Sequence, residues 1–202
     1  GRVALGGWGE DERGCFEKAF FMSHSLSRPL SHPVLRPVLI AVSGVAALTV
    51  SSFVALPMVP VPVTMQTLVV VLMGVVLGPR AGAAVVMAWL GLALAGAPVL
   101  AGGKAGLIAF TGATAGYLLA FPVAAFLAGY LPKVHSVAGH GLRFAGFLGL
   151  HGLILAAGGA WLAVLTTPEI ALATGFVPFI VGSLLKSGLA TAVIAAKGTL
   201  KG

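Results

Sequence analysis

Residues 142–165 read LRFAGFLGLHGLILAAGGAWLAVL, and this run contains one charged side chain, Arg143. A helix needs roughly 20 apolar residues to cross a hydrocarbon core about 30 Å thick, so this stretch predicts a membrane-spanning helix. The rest of the chain has the same character: of its 202 residues, 58% are hydrophobic and 8% are charged, and the mean hydropathy is +1.07. Soluble domains carry roughly a quarter charged residues. We therefore expect an all-α integral membrane protein and exclude a water-soluble one.

Six apolar runs are separated by proline, glycine and isolated charges, which are typical of helix ends. The pattern predicts six transmembrane helices, at residues 37–56, 64–77, 81–97, 107–130, 142–165 and 173–196. The second run is short, and one alternative is that it merges with the third near Gly78 and Pro79.

The N-terminal segment, residues 1–27, differs from the rest because it holds four of the five acidic residues and no long apolar run. We expect it to be disordered, or to lie upstream of the true start, for which Met22 is a candidate. Residues 28–202 are then one polytopic membrane domain.

The positive charges indicate an orientation. If the N-terminus lies inside, one group of cations falls on the cytoplasmic side, while the opposite loops hold only Lys104 and Glu169 as charged residues. That asymmetry follows the positive-inside rule, so we expect both termini in the cytoplasm. It also accounts for the net charge of +7 without nucleic-acid binding. The cytoplasmic cations are Arg28, Arg36, Arg80, Lys133, Arg143, Lys197 and Lys201.

Several kinds of chemistry are excluded by residue type. After residue 17 the chain has one carboxylate, Glu169, so it lacks the acidic relay of an ion-coupled pump. It also lacks the GxxxxGK[ST] pattern needed to bind nucleotide phosphates. With a single cysteine, Cys15, and no grouped ligands, neither a metal site nor a cofactor is expected, and an enzyme is disfavoured. His151 is the one histidine in a predicted span, and we interpret it as a hydrogen-bonded packing residue.

Lys186 is the main candidate for ligand binding. A lysine two-thirds along the last span costs about 2.5 kcal/mol or more in hydrocarbon unless it faces a cavity or a partner. Because the chain offers almost no acids, its counter-ion is expected to be a ligand carboxylate. The alternative is a lysine that extends to the cytoplasmic interface.

Other candidates surround the outer face of the predicted bundle. Lys104 follows Gly103 in a glycine-rich loop where backbone can approach a ligand closely, although a lone surface lysine needs no function. Near the same face we expect polar contacts from Thr64 and Gln66 and ring stacking from Trp89, Tyr117 and Trp161, which packing would also explain.

A ridge of small residues on the first span comprises Ser43, Ala47 and Ser51. Small side chains allow transmembrane helices to approach closely. The ridge is expected either to pack within the protein or to dock a partner membrane protein.

Five short segments, taken in order, resemble the BioY family, the biotin-binding S-components of energy-coupling-factor (ECF) transporters. They are VPVTMQTL at 61–68, LGPRAG at 77–82, APVLAGG at 97–103, TGATAGY at 111–117, and the stretch from Pro178 to Lys186. The resemblance implies six helices, capture of biotin at the outer face, and energisation by a separate transmembrane coupling subunit with ATPase subunits. It also implies that the protein lies in the inner (plasma) membrane of a bacterial cell. It also implies that the ridge of small residues meets the coupling subunit, although some members of the family work without such partners.

The chain departs from the family pattern at several positions. Ser183 stands where an Asp usually precedes Lys186 by three residues, Lys104 replaces an Asn or Ser, and Leu118 replaces an Arg that can bind carboxylate. Residues 112–117 also depart from the family's GPTGGY or GPSGGY. The resemblance leaves open another vitamin or a precursor such as dethiobiotin as the ligand, and a structural membrane protein without a ligand.

The sequence-based hypothesis divides the ligand among three groups of residues. Lys186 and Lys104 hold the ligand carboxylate, Gln66 and Ser183 hold a polar ring, and Tyr117 and Trp89 pack on an apolar chain.

Overall fold

The computed structural model describes residues 35–132 and 136–199. The predicted N-terminal segment, with Met22 and Arg28, lies outside these residues, as do Lys133 and Lys201. The chain divides into two units, Gly1–Ile40 and Ala41–Gly202. In the first unit, residues 35–40 are described, and they are helical. The pocket described below lies within the second unit.

Helices account for most of the described chain, which confirms the all-α prediction. A short antiparallel hairpin follows the first helix, with Ala55 opposite Thr64 and Leu56 opposite Val63. The helices are α1 (Leu35–Phe53), α2 (Gln66–Leu77), α3 (Pro79–Leu94), α4 (Leu107–Thr111), α5 (Ala115–Ala128), α6 (Val137–Leu165), α7 (Pro168–Ala171) and α8 (Val177–Thr199); the hairpin strands are β1 (Ala55–Leu56) and β2 (Val63–Thr64); a 3₁₀ turn spans Ala101–Gly103 and a π-helical turn spans Leu172–Phe176.

Among the residues that the structure describes, three helical stretches are long and apolar enough to cross a membrane: Leu35–Phe53, Ala138–Leu165 and Pro168–Ala196. Three shorter helices, α2, α3 and α5, are also apolar. The 12 residues of α2 rise only about 18 Å, less than the hydrocarbon core of about 30 Å. An integral membrane protein is therefore supported, while the number of six passes stays a prediction.

The boundary between the second and third predicted helices is sharp. Gly78 has φ 88° and ψ 168°, a conformation that side chains with a Cβ avoid, and Pro79 begins α3. The two apolar runs are therefore separate helices and do not merge.

The prediction of one helix over 107–130 is wrong, because the structure breaks this run at residues 112–114. Gly112 is extended (φ −81°, ψ −173°), and its carbonyl accepts a hydrogen bond from Trp161 Nε1 at 3.0 Å. The same carbonyl also accepts from the Ala115 N–H at 3.1 Å, a three-residue bond that forms a turn before α5. Trp161 thus joins α6 to this turn.

Helix α5 lies at the centre of the fold and packs against α2, α3 and α6, while α6 packs against α8. Glycines allow these close approaches. A Cβ on Gly74 of α2 would overlap the Ala125 carbonyl of α5, and one on Gly129 would overlap Pro79. Such contacts are how small residues hold transmembrane helices together.

Candidate ligand-binding site

One pocket lies among the start of α2, the loop at 100–104, and helices α5, α6 and α8. The space between its walls that no protein atom fills is about 680 Å³, part of it open to solvent. The predicted site residues in its wall are Thr64, Gln66, Lys104, Tyr117, Ser183 and Lys186.

Lys186 is turned into the protein and is only 8% exposed. Its Nζ donates to the Thr64 carbonyl at 2.6 Å and to Thr67 Oγ1 at 3.1 Å. An ammonium has three donors, so one N–H has no partner among the described residues. The one carboxylate in the described ranges, on Glu169, is exposed and makes no ion pair with it. Lys186 is therefore a buried cation with donor capacity left for a ligand.

Gln66 and Lys186 both contact Thr64. The Thr64 hydroxyl donates to Gln66 Oε1 at 3.1 Å, while the Thr64 carbonyl accepts from Lys186. Gln66 is 4% exposed, and its Nε2 has no hydrogen-bond partner among the described residues. A buried amide donor left unpaired costs about 1–3 kcal/mol, so a ligand acceptor at this position would be favourable.

The local backbone explains why these groups meet. Strand β2 pairs with β1, and the Met65 N–H donates to the Val54 carbonyl at 3.0 Å, so the chain is fixed where α2 begins. Thr64 is therefore held at the end of the hairpin, beside α8. The first turn of α2 then places Gln66 and Thr67 against the same part of the pocket.

Helix α8 contributes one polar face. Ser183 and Lys186 are three residues apart, which places them on the same side of a helix. Ser183 is 5% exposed and borders the pocket. Its carbonyl accepts from Ser187 Oγ at 2.7 Å. This face supplies both a cationic donor and a hydroxyl.

His151 faces α8 from α6 and also borders the pocket. The ring is 2% exposed. Its Nδ1 lies 2.9 Å from the Phe147 carbonyl and 3.1 Å from Ser187 Oγ, whereas Nε2 has no partner among the described residues. The sequence analysis identified this histidine by its place in a span but assigned it to packing. Its contact with Ser187, 36 positions away, could not be read from the sequence.

The aromatic wall is built around Tyr117. Its hydroxyl donates to the Gly175 carbonyl at 2.6 Å, and its ring stacks on Phe179 with centroids 6.1 Å apart. A Cβ on Gly158 would overlap this ring, so the glycine makes room for it. The tyrosine is therefore fixed at both ends as a rigid apolar surface.

The structure does not place Trp89 at the pocket. Trp89 is fully buried and stacks on Phe121 at 6.4 Å, and Phe121 is the ring that borders the pocket. Trp89 thus supports the wall from behind, in contrast to its predicted contact with a ligand. Trp161 is held by its bond to Gly112 and does not border the pocket either.

Lys104 is exposed at the edge of the pocket. The loop before it turns through Gly102 and Gly103, which have φ 68° and 70°. Those left-handed values favour glycine. Gly103 does not border the pocket, so it shapes the loop that presents Lys104. Leu118, by contrast, borders the pocket as a buried apolar residue.

The predicted docking ridge is only partly on the surface. Ser43 and Ala47 are exposed on α1, whereas Ser51 is 6% exposed and its hydroxyl donates to the Leu48 carbonyl at 2.7 Å. A partner at this face would therefore meet the first two residues.

Three comparisons with known proteins point to the same family. The sequence profile of the BioY family matches residues 22–200. The chain is 37% identical over 155 residues to a "Probable biotin transporter BioY" of Pyrococcus horikoshii, covering 76% of this chain and 89% of that protein. It is 34% identical over 146 residues to a "Biotin transporter BioY" of Thermotoga maritima, covering 70% and 83%. A crystal structure of the S-component for biotin from an ECF-type ABC transporter matches with a TM-score of 0.73 and 26% identity, over 85% of this chain and 95% of that one.

Proposed function

Because the chain belongs to the BioY family, we propose that it captures biotin for uptake, as the substrate-binding S-component of an ECF-type transporter. It is a transporter component and not an enzyme. The observation that supports biotin most directly is the pairing of a buried, donor-rich cluster with an aromatic wall in one pocket. Biotin has the matching parts: a polar cyclic urea, an apolar ring and chain, and a terminal carboxylate.

The urea binds at the buried end of the pocket. Lys186 and Gln66 both contact Thr64 and both border the pocket, so we assign the spare donor of each to one strong acceptor, the ureido oxygen. A hydrogen bond from a charged donor is stronger than a neutral one. Tyr117, Phe121 and Phe179 then cover the apolar part of the ligand.

The carboxylate points towards Lys104. Burying an ionised carboxylate is far more costly than burying a neutral urea, and Lys104 is the exposed cation at the pocket edge. This orientation differs from the sequence-based hypothesis, in which Lys186 binds the carboxylate while Gln66 and Ser183 bind the ring. Lys186 and Gln66 share Thr64, and an extended ligand cannot place both of its ends there.

Energy for transport comes from separate subunits. The family resemblance implies a transmembrane coupling subunit with ATPase subunits, and the exposed Ser43 and Ala47 offer a surface on α1 for the coupling subunit. The protein lies in the inner (plasma) membrane with six passes and both termini in the cytoplasm, in keeping with the distribution of cations.

Calorimetric titration of the purified protein in nanodiscs tests this function. Biotin is expected to bind tightly, dethiobiotin to bind more weakly because it lacks the sulfur ring that fills the apolar wall, and thiamine not to bind. Tight binding of dethiobiotin with weak binding of biotin would assign the pocket to the precursor. No binding of any of the three would contradict capture of biotin.

A further inference from the structure

His151 lies where two helices meet the pocket, and no role in ligand binding has been given to it so far. It stands on α6, is 2% exposed, and borders the pocket together with Ser183 and Lys186 of α8. Buried polar atoms in proteins nearly always have a hydrogen-bond partner, so the unpaired ring nitrogen of His151 is a candidate contact for a ligand. A role for it in binding biotin rests on the proposed function.

The neighbours of Nδ1 determine which ring nitrogen carries the proton. The Phe147 carbonyl, at 2.9 Å, can only accept. Ser187 Oγ, at 3.1 Å, has one proton, which it donates to the Ser183 carbonyl at 2.7 Å. Towards His151 the serine therefore presents a lone pair. Because both neighbours are acceptors, Nδ1 carries the hydrogen.

The ring is neutral, so Nε2 is an acceptor. A second buried cation on the pocket wall beside Lys186, with no carboxylate near it in the described ranges, would be costly. In a neutral imidazole with hydrogen on Nδ1, the lone pair is on Nε2. That nitrogen is buried and has no hydrogen-bond partner among the described residues.

The donors and acceptors of the pocket now complement a cyclic urea. Lys186 and Gln66 Nε2 supply donors, while a urea also presents two N–H groups that need acceptors when buried. We propose that His151 Nε2 accepts a hydrogen bond from one ureido N–H of biotin, and so selects a ligand that donates at this position. Ser183 also borders the pocket, and a hydroxyl can accept a hydrogen bond from the second N–H.

The test combines His151 variants with biotin analogues. His151→Leu removes the acceptor but keeps an apolar side chain of related size, whereas His151→Gln keeps a carbonyl that can reach the place of Nε2. His140→Leu, on the same helix but outside the pocket wall, is the matched control. The ligands are biotin and two carbamate analogues, in which one or the other ureido N–H is replaced by oxygen.

Calorimetry should show a loss of biotin affinity of about 5- to 150-fold in His151→Leu, because a buried N–H is left unpaired. His151→Gln should recover most of this loss, and His140→Leu should bind like the wild type. One carbamate should bind the wild type weakly and show little further loss in His151→Leu, because the N–H that contacts the histidine is already missing. Equal losses for biotin and both carbamates, or unchanged biotin affinity in His151→Leu, would overturn the assignment.

A measurement on the unmodified protein covers the case in which a variant fails to fold. Nitrogen-15 NMR of histidine-labelled protein is expected to show the Nδ1–H tautomer for His151 and a shift of the Nε2 resonance when biotin is added. An Nε2–H tautomer would overturn the proposal. A wild-type protein that does not bind biotin would remove the proposed function together with this assignment, whereas wild-type binding that is unaffected by His151 removes this assignment alone.

Discussion

Replacing each pocket lysine by methionine tests the orientation of biotin. Lys186 is 8% exposed, and its spare donor is assigned to the ureido oxygen. Hydrogen bonds to charged groups contribute about 1.5–3 kcal/mol, so Lys186→Met should raise the Kd for biotin by about 10- to 150-fold. Lys104 is exposed, and an exposed ion pair contributes about 0.2–1 kcal/mol, so Lys104→Met should raise the Kd by no more than about fivefold.

The experiment also compares biotin with an uncharged analogue, biotinamide. Biotinamide keeps the urea and the rings but has no negative charge. Lys186→Met should weaken biotin and biotinamide by the same factor, because its contact is with the urea. Lys104→Met should weaken biotin only, and its effect should decrease as salt is raised, since an exposed charge pair is screened.

The assay is calorimetry at two salt concentrations, with thermal unfolding of the free protein as a check on folding. Lys186→Met removes two hydrogen bonds but also a buried charge, and these opposing terms of a few kcal/mol leave the melting temperature nearly unchanged. Arg80→Met removes an exposed charge outside the pocket and is the control. A loss in Lys186→Met that appears with biotin and vanishes with biotinamide would refute the orientation, since Lys186 would then bind the carboxylate.

Three further predictions concern the wall and the docking face. Gly158→Ala should lower the free energy of unfolding by about 1–3 kcal/mol and weaken biotin binding, because the new Cβ overlaps the Tyr117 ring. The control is Gly152→Ala, whose Cβ meets open space and which should change neither quantity. Tyr117→Phe removes one buried hydrogen bond and should lower the free energy of unfolding by about 0.5–1.5 kcal/mol, measured by denaturant titration; an unchanged value would show that the bond contributes nothing. Ala47→Trp should reduce biotin uptake in cells that supply the coupling and ATPase subunits, while biotin binding in nanodiscs stays intact. Val42 is exposed on another side of α1, so Val42→Trp should preserve both uptake and binding. Equal uptake by the two variants would place the docking surface elsewhere.

The sequence predicted the helical fold because apolar runs and their breaks reflect the membrane directly. Gly78 and Pro79 correctly marked the boundary between two helices, because a glycine with positive φ followed by a proline ends one helix and begins the next through local backbone geometry alone. The break at Gly112 was missed because Gly and Thr, which stand at this point, are also common inside transmembrane helices. The indole that donates to the Gly112 carbonyl lies 49 positions away, in Trp161. Long-range hydrogen bonds of this kind leave no periodic signal in the sequence.

The sequence identified some of the residues that border the pocket and not others, and the difference follows from what residue type can show. Lys186 was singled out because a lysine in an apolar span needs a reason, and it does border the pocket. Trp89 was chosen for its chemistry, but hydropathy does not distinguish a ring in the wall from one behind it. The arrangement of the ligand was also beyond residue type, because nothing in the sequence shows that Thr64 contacts both Lys186 and Gln66.

The polar end of the pocket explains how a membrane protein with one carboxylate in its described ranges can still select among ligands. Gln66 Nε2 and His151 Nε2 are buried and have no protein partner in the described ranges, and each would cost about 1–3 kcal/mol beside a ligand that cannot pair with it. An apolar wall alone discriminates weakly between ligands of similar shape, whereas a site built on hydrogen bonds rejects analogues that lack them by factors of up to about 10⁵. In the proposed arrangement, selectivity for a urea arises from the penalty for leaving these atoms unpaired. Ser183 in place of an acid does not remove this penalty, because His151 is the proposed neutral acceptor on the facing helix.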